Sequence, residues 1–188
     1  MDKTVSAKNG PFILGPTIEL RIEEVEQLFD MLDPYPFLQR DLDQEAEEYI
    51  VSWARALPRH HPLKILVHLP QAEAETKEAR DLPQAFSRFF TYRADMVRRD
   101  LGEQFRIGRR SLAIGLVVLA VCLFIGQAVN GRIGSSYLAR FAQESLVIIA
   151  WVANWKPMEI LLYDWLPVRR RLRLYERLAR ADVGLKPY

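Results

Sequence analysis

The most constraining feature of this chain is the stretch 111–129, SLAIGLVVLAVCLFIGQAV, which carries no charged side chain and directly follows Arg109 and Arg110. A helix rises about 1.5 Å per residue, so a run of this length crosses a hydrocarbon core of about 30 Å. A second apolar segment covers residues 145–166. Four arginines follow it: Arg169, Arg170, Arg171 and Arg173. Two apolar spans bounded by arginines predict a transmembrane hairpin.

The rest of the chain is polar and charged. The composition of each region therefore says more about the class of protein than the average over the whole chain. We predict an α+β membrane protein with a cytoplasmic domain in residues 1–104, the hairpin in 105–167 and a basic cytoplasmic tail in 168–188. The formal net charge of +2 is too small to indicate nucleic-acid binding. The only cysteine, Cys122, lies inside the first span, so neither a disulfide framework nor a cysteine-based zinc site is expected.

The distribution of arginines predicts the orientation of the hairpin. Before the first span lie Arg93, Arg98, Arg99, Arg106, Arg109 and Arg110. After the second lie Arg169, Arg170, Arg171, Arg173, Arg177 and Arg180, while the connecting loop holds only Arg132 and Arg140. By the positive-inside rule both termini should face the cytoplasm, which makes this a multi-pass protein of a bacterial-type cytoplasmic membrane. The beginning of the chain lacks the apolar core of a signal peptide, so we expect that the first 90 residues are not exported by a cleaved signal.

The N-terminal region shows the alternation of half-buried strands. Residues 17–22, TIELRI, and residues 63–69, LKILVHL, each place apolar side chains on one face. Residues 12–14 are a candidate for a third short strand. Because the second face is partly polar, we predict a thin sheet that helices cover on one side only.

Three helices are predicted around this sheet. The first covers residues 23–32 and ends at the Asp33-Pro34-Tyr35-Pro36 turn. The second begins at Asp41 as N-cap, with Gln44 as a capping-box partner. Its expected core residues are Leu42, Ala46, Tyr49, Ile50, Trp53 and Leu57. After a charged linker at residues 71–77, the third helix begins near Pro83 and continues unbroken into the first span.

The second span contains polar residues that are costly in a membrane, namely Asn154, Lys156 and Glu159. A lysine at the centre of a span costs about 2.5–3.5 kcal/mol on insertion scales. Either Lys156 and Glu159, three residues apart, pair on one helix face, or the span ends near Trp155 and Pro157 breaks it. In the second case residues 158–168 lie in the headgroup layer, anchored by aromatic residues. The candidate intramembrane polar cluster is therefore Asn154, Lys156 and Glu159.

The basic residues at the ends of the spans are candidate anchors for anionic lipid headgroups, namely Arg109, Arg110, Arg169, Arg170, Arg171 and Arg173. Residues 168–180 form a predicted basic amphipathic helix. The acidic run that begins at Asp41 fails the pattern of a calcium loop, and the three histidines, His60, His61 and His68, lack further metal ligands. No catalytic motif is present, so we expect neither enzymatic activity nor a cofactor.

The stretches at residues 41–53 and 151–165 resemble uncharacterised bacterial inner-membrane proteins with two transmembrane helices. The resemblance covers much of the chain and implies a two-span membrane protein, without an activity. We therefore favour an accessory or scaffold protein that presents a cytoplasmic domain to a protein partner or to its own copies. One alternative is a subunit of an oligomeric channel or transporter that uses Lys156 and Glu159. Another is a membrane-tethered enzyme or small-ligand sensor, with a ligand on the open sheet face that bears Glu19, Arg21, Lys64 and His68.

Overall fold

The computed structural model describes residues 17–58, 61–133 and 137–188. Its elements are β1 (Thr17–Arg21), α1 (Gln44–Ala56), β2 (Lys64–Leu69), α2 (Gln71–Ala74), α3 (Lys77–Ile133), α4 (Tyr137–Glu159), α5 (Trp165–Ala179) and β3 (Asp182–Pro187). A π-helical segment, Ile160–Asp164, joins α4 to α5. The predicted α+β class is confirmed. Two helices, which include the two predicted apolar stretches, are long and apolar enough to cross a membrane.

The chain forms two compact units. The first contains the described residues up to Arg93 together with Leu174–Tyr188, and the second is Ala94–Arg173. The divisions fall inside α3 and inside α5. This differs from the predicted division, because the end of the chain is part of the first unit rather than a separate basic tail.

The first unit is built on a three-stranded parallel sheet in the order β1-β2-β3. The two predicted strands are confirmed, and the candidate strand at residues 12–14 lies outside the described residues. The third strand instead comes from the end of the chain, where β3 pairs with β2 from Lys64↔Asp182 to Leu69↔Pro187. Its sequence, DVGLKP, contains a glycine and a proline and lacks the alternation that marks β1 and β2.

One face of this sheet forms the core of the first unit. The alternating residues Ile18, Leu20, Ile65 and Val67 are buried. The helices contribute further buried side chains: Ile50, Val51, Ala54, Leu82, Phe86, Phe90, Tyr175 and Leu178. Burying one large aliphatic side chain is worth about 1.5–3 kcal/mol, so α5, which buries Leu178, contributes directly to the stability of this unit.

The predicted helix over residues 23–32 is wrong. Only a 3-10 turn, Val25–Leu28, forms there, and Phe29 then pairs with Leu42 in an antiparallel bridge. The backbone hydrogen bonds Asp30 N to Asp41 O and Asp43 N to Leu28 O, both 2.9 Å, hold this bridge. The Asp30 amide and the Leu28 carbonyl are used in these bonds and cannot also form the hydrogen bonds of a continuous helix, so the bridge forms instead of the helix.

Helix α1 starts later than predicted and buries a different face. Its N-cap is Asp43 instead of Asp41, and the Asp43 carboxylate accepts hydrogen bonds from the Glu45 and Ala46 amides. Tyr49 and Trp53, both expected in the core, are exposed. A buried glutamate occupies the core face of this helix, and hydrophobic periodicity cannot predict such a position.

Helix α3 is continuous from Lys77 to Ile133, which confirms the predicted unbroken helix through Arg110. It begins earlier than Pro83, since the Thr76 hydroxyl accepts a hydrogen bond from the Ala79 amide at 3.2 Å and caps its first turn. The predicted linker at residues 71–77 includes the short helix α2. The predicted amphipathic helix at residues 168–180 is found within α5.

Candidate functional site

The polar residues of α4 form two separate arrangements. Lys156 Nζ lies 3.0 Å from Glu159 Oε2 and 3.9 Å from Asp164 Oδ2, so one ammonium group contacts two carboxylates. All three side chains are substantially exposed on the second unit, the lysine by 67%. The predicted pairing of Lys156 with Glu159 is present, and Asp164 of the π-helical segment extends it.

Asn154 does not join this cluster. Its side-chain Nδ2 donates to Gly115 O of α3 at 3.0 Å and to Ala150 O of α4 at 2.8 Å. Asn154 therefore connects α4 to the apolar part of α3, while Lys156 and Glu159 lie apart from that contact. An amide that satisfies backbone carbonyls in this way has a structural role in helix association.

Small residues of α3 line this helix–helix contact. A Cβ added at Gly115 would lie 2.5 Å from Asn154 Oδ1, and one at Gly108 would lie 3.0 Å from Ile160 Cγ2. At the other end, the Gly126 position faces Gln143 at 3.7 Å. In the order Gly108, Gly115 and Gly126, the residue numbers on α3 rise, whereas the numbers of their contacts, Ile160, Asn154 and Gln143, fall. The two segments therefore pack antiparallel.

This register fixes the level of the charged cluster along α3. Because Asn154 lies beside Gly115 and Ile160 beside Gly108, Glu159 lies at about the level of Arg110. Further along, the Trp165 ring lies 6.0 Å from the Phe105 ring. Residues 160–165 therefore run beside the arginine-bearing part of α3 and not beside its apolar stretch.

Pro157 does not break the helix, since α4 continues to Glu159. The irregularity follows it as the π-helical segment Ile160–Asp164. Pro157 has no backbone N–H, so it cannot donate a hydrogen bond to the carbonyl oxygen of Ala153. That oxygen lies close to Gly115, since a Cβ added at Gly115 would be 3.3 Å from it. The absence of a side chain at Gly115 is what allows this close approach.

The six arginines predicted as lipid anchors are all exposed on the second unit: Arg109, Arg110, Arg169, Arg170, Arg171 and Arg173. The Arg169 guanidinium carbon lies 5.3 Å from the centre of the Trp165 ring. This contact leaves most of the guanidinium edge open to solvent or to another group.

The first unit contains a buried charged group that sequence reasoning missed. Glu47 is only 8% exposed, and its carboxylate accepts hydrogen bonds from Arg93 of α3 and, at 3.0 Å, from the Tyr175 hydroxyl of α5. The Tyr175 ring also stacks on Phe90, with the ring centres 6.3 Å apart. A buried carboxylate needs such partners, so this network joins three helices within the unit.

The polar residues on the open face of the sheet contact other residues of the protein. The His68 imidazole lies 3.6 Å from the Glu19 carboxylate, and Lys64 lies 3.8 Å from Asp182 on β3. The Arg21 guanidinium lies 4.5 Å from the centre of the Tyr188 ring. The four residues considered for a ligand on this face thus have protein partners. Glu19 with His68 and Lys64 with Asp182 are pairs across neighbouring strands, and Arg21 contacts Tyr188, which follows β3.

A groove in the first unit is the concave feature that the sequence did not reveal. It lies between the loop at residues 33–41 and α3 and has a volume of about 400 Å³. Its lining includes Tyr35, Arg40, Arg88 and Tyr92. In the sequence, the two prolines of the loop predict only the end of a helix. Loops are frequent sites of binding residues, and the tyrosine of this loop is exposed.

Metal binding has no support among the described residues, where no three His, Cys, Asp or Glu side chains come together in a suitable group. His60, one of the histidines considered as a ligand, lies outside the described residues.

No family model matches this chain, and neither the curated proteins nor the solved structures contain a match. The resemblance to two-span bacterial membrane proteins therefore stays a prediction.

Proposed function

We propose that this protein is a membrane-anchored accessory or scaffold protein that presents its α+β unit to the cytoplasm. The observation that carries the proposal is the pairing of β2 with β3. These strands lie on opposite sides of the two apolar helices in the sequence, yet they are neighbours in one sheet.

This pairing constrains how the chain meets a membrane. A sheet cannot form across a hydrocarbon core, so β2 and β3 must lie on the same side of the bilayer. The chain between them then crosses an even number of times, and the two apolar stretches supply two crossings. A hairpin is the simplest arrangement that meets both conditions.

The arginines support a cytoplasmic location for the sheet. Both ends of the proposed hairpin are rich in arginine, and the loop between the spans is poor in it. The exposed Arg109, Arg110, Arg169 and Arg170 are then at the inner surface, where each basic residue gains about 1 kcal/mol from anionic lipid headgroups.

The helix register supports a second span that ends near Lys156. If Arg110 marks the edge of the hydrocarbon core, Glu159 lies at that edge and residues 160–166 lie outside it. Lys156 is only a few ångströms further in, so its ammonium group reaches the headgroup layer by extending along the helix. The charged side chains of Lys156, Glu159 and Asp164 then need not be buried in the hydrocarbon core. This removes the main reason to assign them to a channel or transporter subunit.

The surface of the first unit supports a role in binding protein. Met31 and Leu32 are adjacent and highly exposed, Leu32 by 92%. Exposed apolar clusters on a small domain mark interaction sites. The partner is another protein or a second copy of the chain.

Topology is tested with two reporter fusions to the full chain. A protein that fluoresces only in the cytoplasm should be bright when fused after Tyr188. A phosphatase that is active only outside should work when inserted near Ser135. An exported C-terminal fusion would contradict the hairpin.

Partner binding is tested by affinity purification from membranes in mild detergent. We expect a stable partner or a homo-oligomer with the parent chain and a reduced yield with the double variant Met31→Ser and Leu32→Ser. Tyr49→Ser, which changes an exposed apolar residue on α1, serves as the control. Recovery of monomer alone in several detergents would refute the scaffold role.

The channel alternative is tested with Lys156→Ala combined with Glu159→Ala. We expect this double variant to insert, assemble and support growth like the parent. A loss of growth with normal insertion would favour the transport role instead.

A further inference from the structure

The loop at residues 33–41 is held in shape by its own side chains. The Asp33 carboxylate accepts hydrogen bonds from the Tyr35 amide at 3.0 Å and from the Asp41 amide at 2.9 Å. Arg40 Nε donates to Tyr35 O at 3.3 Å. The Phe37 ring packs on Phe29, with the ring centres 4.7 Å apart. The loop is therefore a preformed wall of the groove, and binding a ligand costs little ordering entropy.

The free hydrogen-bond donors in the groove favour an anion. Arg88 is exposed on α3 and makes no ion pair among the described residues. Arg40 uses its Nε on a backbone carbonyl, which leaves its two terminal nitrogens available. Both oxygens of Asp33 accept backbone amides, so Asp41 is the one lining carboxylate without such bonds. Asp33 keeps its negative charge, so the two arginines and two aspartates of the lining balance in charge. The hydrogen-bond donors left uncommitted among the described residues are the terminal nitrogens of Arg40 and the guanidinium of Arg88, and these suit an anionic group.

The remaining lining favours a flat apolar group. Tyr35 and Tyr92 are half-exposed or more, and the buried Phe89 lies between α3 and the loop. Exposed tyrosine rings present rigid faces on which a planar ring packs at a small entropic cost. The volume of about 400 Å³ lies within the range of small-molecule sites.

We propose that this groove binds a small aromatic anion, with its carboxylate or phosphate on Arg40 and Arg88 and its ring between Tyr35 and Tyr92. Two guanidinium groups supply charge-assisted hydrogen bonds that fix the anionic end. The inference goes beyond the scaffold role, because it assigns a ligand site to the first unit that does not involve the exposed Met31 and Leu32.

The test uses the full chain in lipid nanodiscs and fluorine NMR of small probes. The probes are 4-fluorobenzoate and 4-fluorophenyl phosphate, with the neutral 4-fluorobenzyl alcohol and empty nanodiscs as references. We expect at least one anionic probe to broaden and shift on binding, and the alcohol to bind about tenfold more weakly or not at all. Equal binding of the neutral probe, or no binding of either anion, would overturn the proposal.

Matched variants locate the binding. Arg88→Gln should weaken binding of the anionic probe about tenfold. Arg99→Gln, which removes another exposed arginine of α3 outside the groove, should leave it unchanged. Arg40→Gln provides a second test if Arg88→Gln does not fold, as judged by its thermal unfolding. Unchanged affinity in a folded Arg88→Gln or Arg40→Gln variant would refute the site, whereas loss of partner recovery alone would concern only the scaffold role.

Discussion

Gly115→Ala is the substitution that the helix contact resists most strongly. The new Cβ would lie 2.5 Å from Asn154 Oδ1, 3.0 Å from Asn154 Cγ and 3.3 Å from Ala153 O. The amide of Asn154 is held by two hydrogen bonds, to Gly115 O and to Ala150 O. It cannot move away from the methyl group without losing at least one of them.

The expected cost follows from three terms. Overpacking a tight contact costs about 1–3 kcal/mol. An interhelical hydrogen bond in a membrane protein is worth about 0.6 kcal/mol on average and up to about 1.7 kcal/mol. Replacing glycine by alanine inside a helix returns up to about 1 kcal/mol. The net effect of Gly115→Ala is therefore a loss of about 0.6–3.7 kcal/mol in the association of α3 with α4.

Gly102→Ala is the matched control, because nothing lies within 4 Å of the Cβ it would add. We expect it to stabilise α3 slightly through helix propensity alone. Asn154→Ala removes the atom that clashes, so Gly115→Ala should cost less in that background. A coupling energy above about 0.5 kcal/mol between the two substitutions would show that they share one contact.

The single cysteine supplies the assay. Cys122 is buried on α3, two helical turns from Gly115 and on the same face. Its labelling by a small thiol reagent during a titration with sodium dodecyl sulfate reports separation of the helices. Gly115→Ala should shift the midpoint of labelling to less detergent. A midpoint equal to that of the parent or of Gly102→Ala would refute the contact.

Three further predictions concern the first unit. Tyr175→Phe should lower its free energy of unfolding by about 1.5–3 kcal/mol, because it removes a hydrogen bond to the buried Glu47 carboxylate, whereas Tyr49→Phe should change it by less than about 0.5 kcal/mol in chemical unfolding. Deleting residues 182–188 should abolish cooperative thermal unfolding of the unit, and a retained sharp transition would contradict the role of β3. Backbone hydrogen bonds lower the pKa of Asp33 from its ordinary value, so its stabilising effect is present above about pH 4 and is lost as the pH falls through the lowered pKa. The melting temperatures of the parent and Asp33→Asn should differ near neutral pH and converge in acid.

Sequence patterning predicts the local features of this fold well. The two alternating strands and the long helix through Arg110 are encoded in short-range periodicity, and each appears at nearly the expected residues. The pairing of Lys156 with Glu159 is also local, since residues three apart share a helix face. These are cases in which the signal and the structure involve the same few residues.

The features that the sequence did not predict depend on distant partners. Burial of Glu47 requires Tyr175 from the other end of the chain, and its position shifts the core face of α1. The bridge between Phe29 and Leu42 likewise replaces a helix for which the local pattern was favourable. Hydrophobic periodicity carries no information on such long-range pairs, so they appear only in the folded chain.

The position of β3 also constrains the order in which the protein folds. The sheet needs a strand that is synthesised after both apolar helices, and the network around Glu47 needs Tyr175 from α5. Until that part of the chain emerges, β2 is paired only with β1, and the core of the first unit lacks Tyr175 and Leu178. Completion of the unit therefore follows synthesis of both helices. In the proposed hairpin, a chain whose second helix failed to insert would have β3 on the opposite side of the membrane from β2, and its first unit would remain incomplete and open to proteolysis.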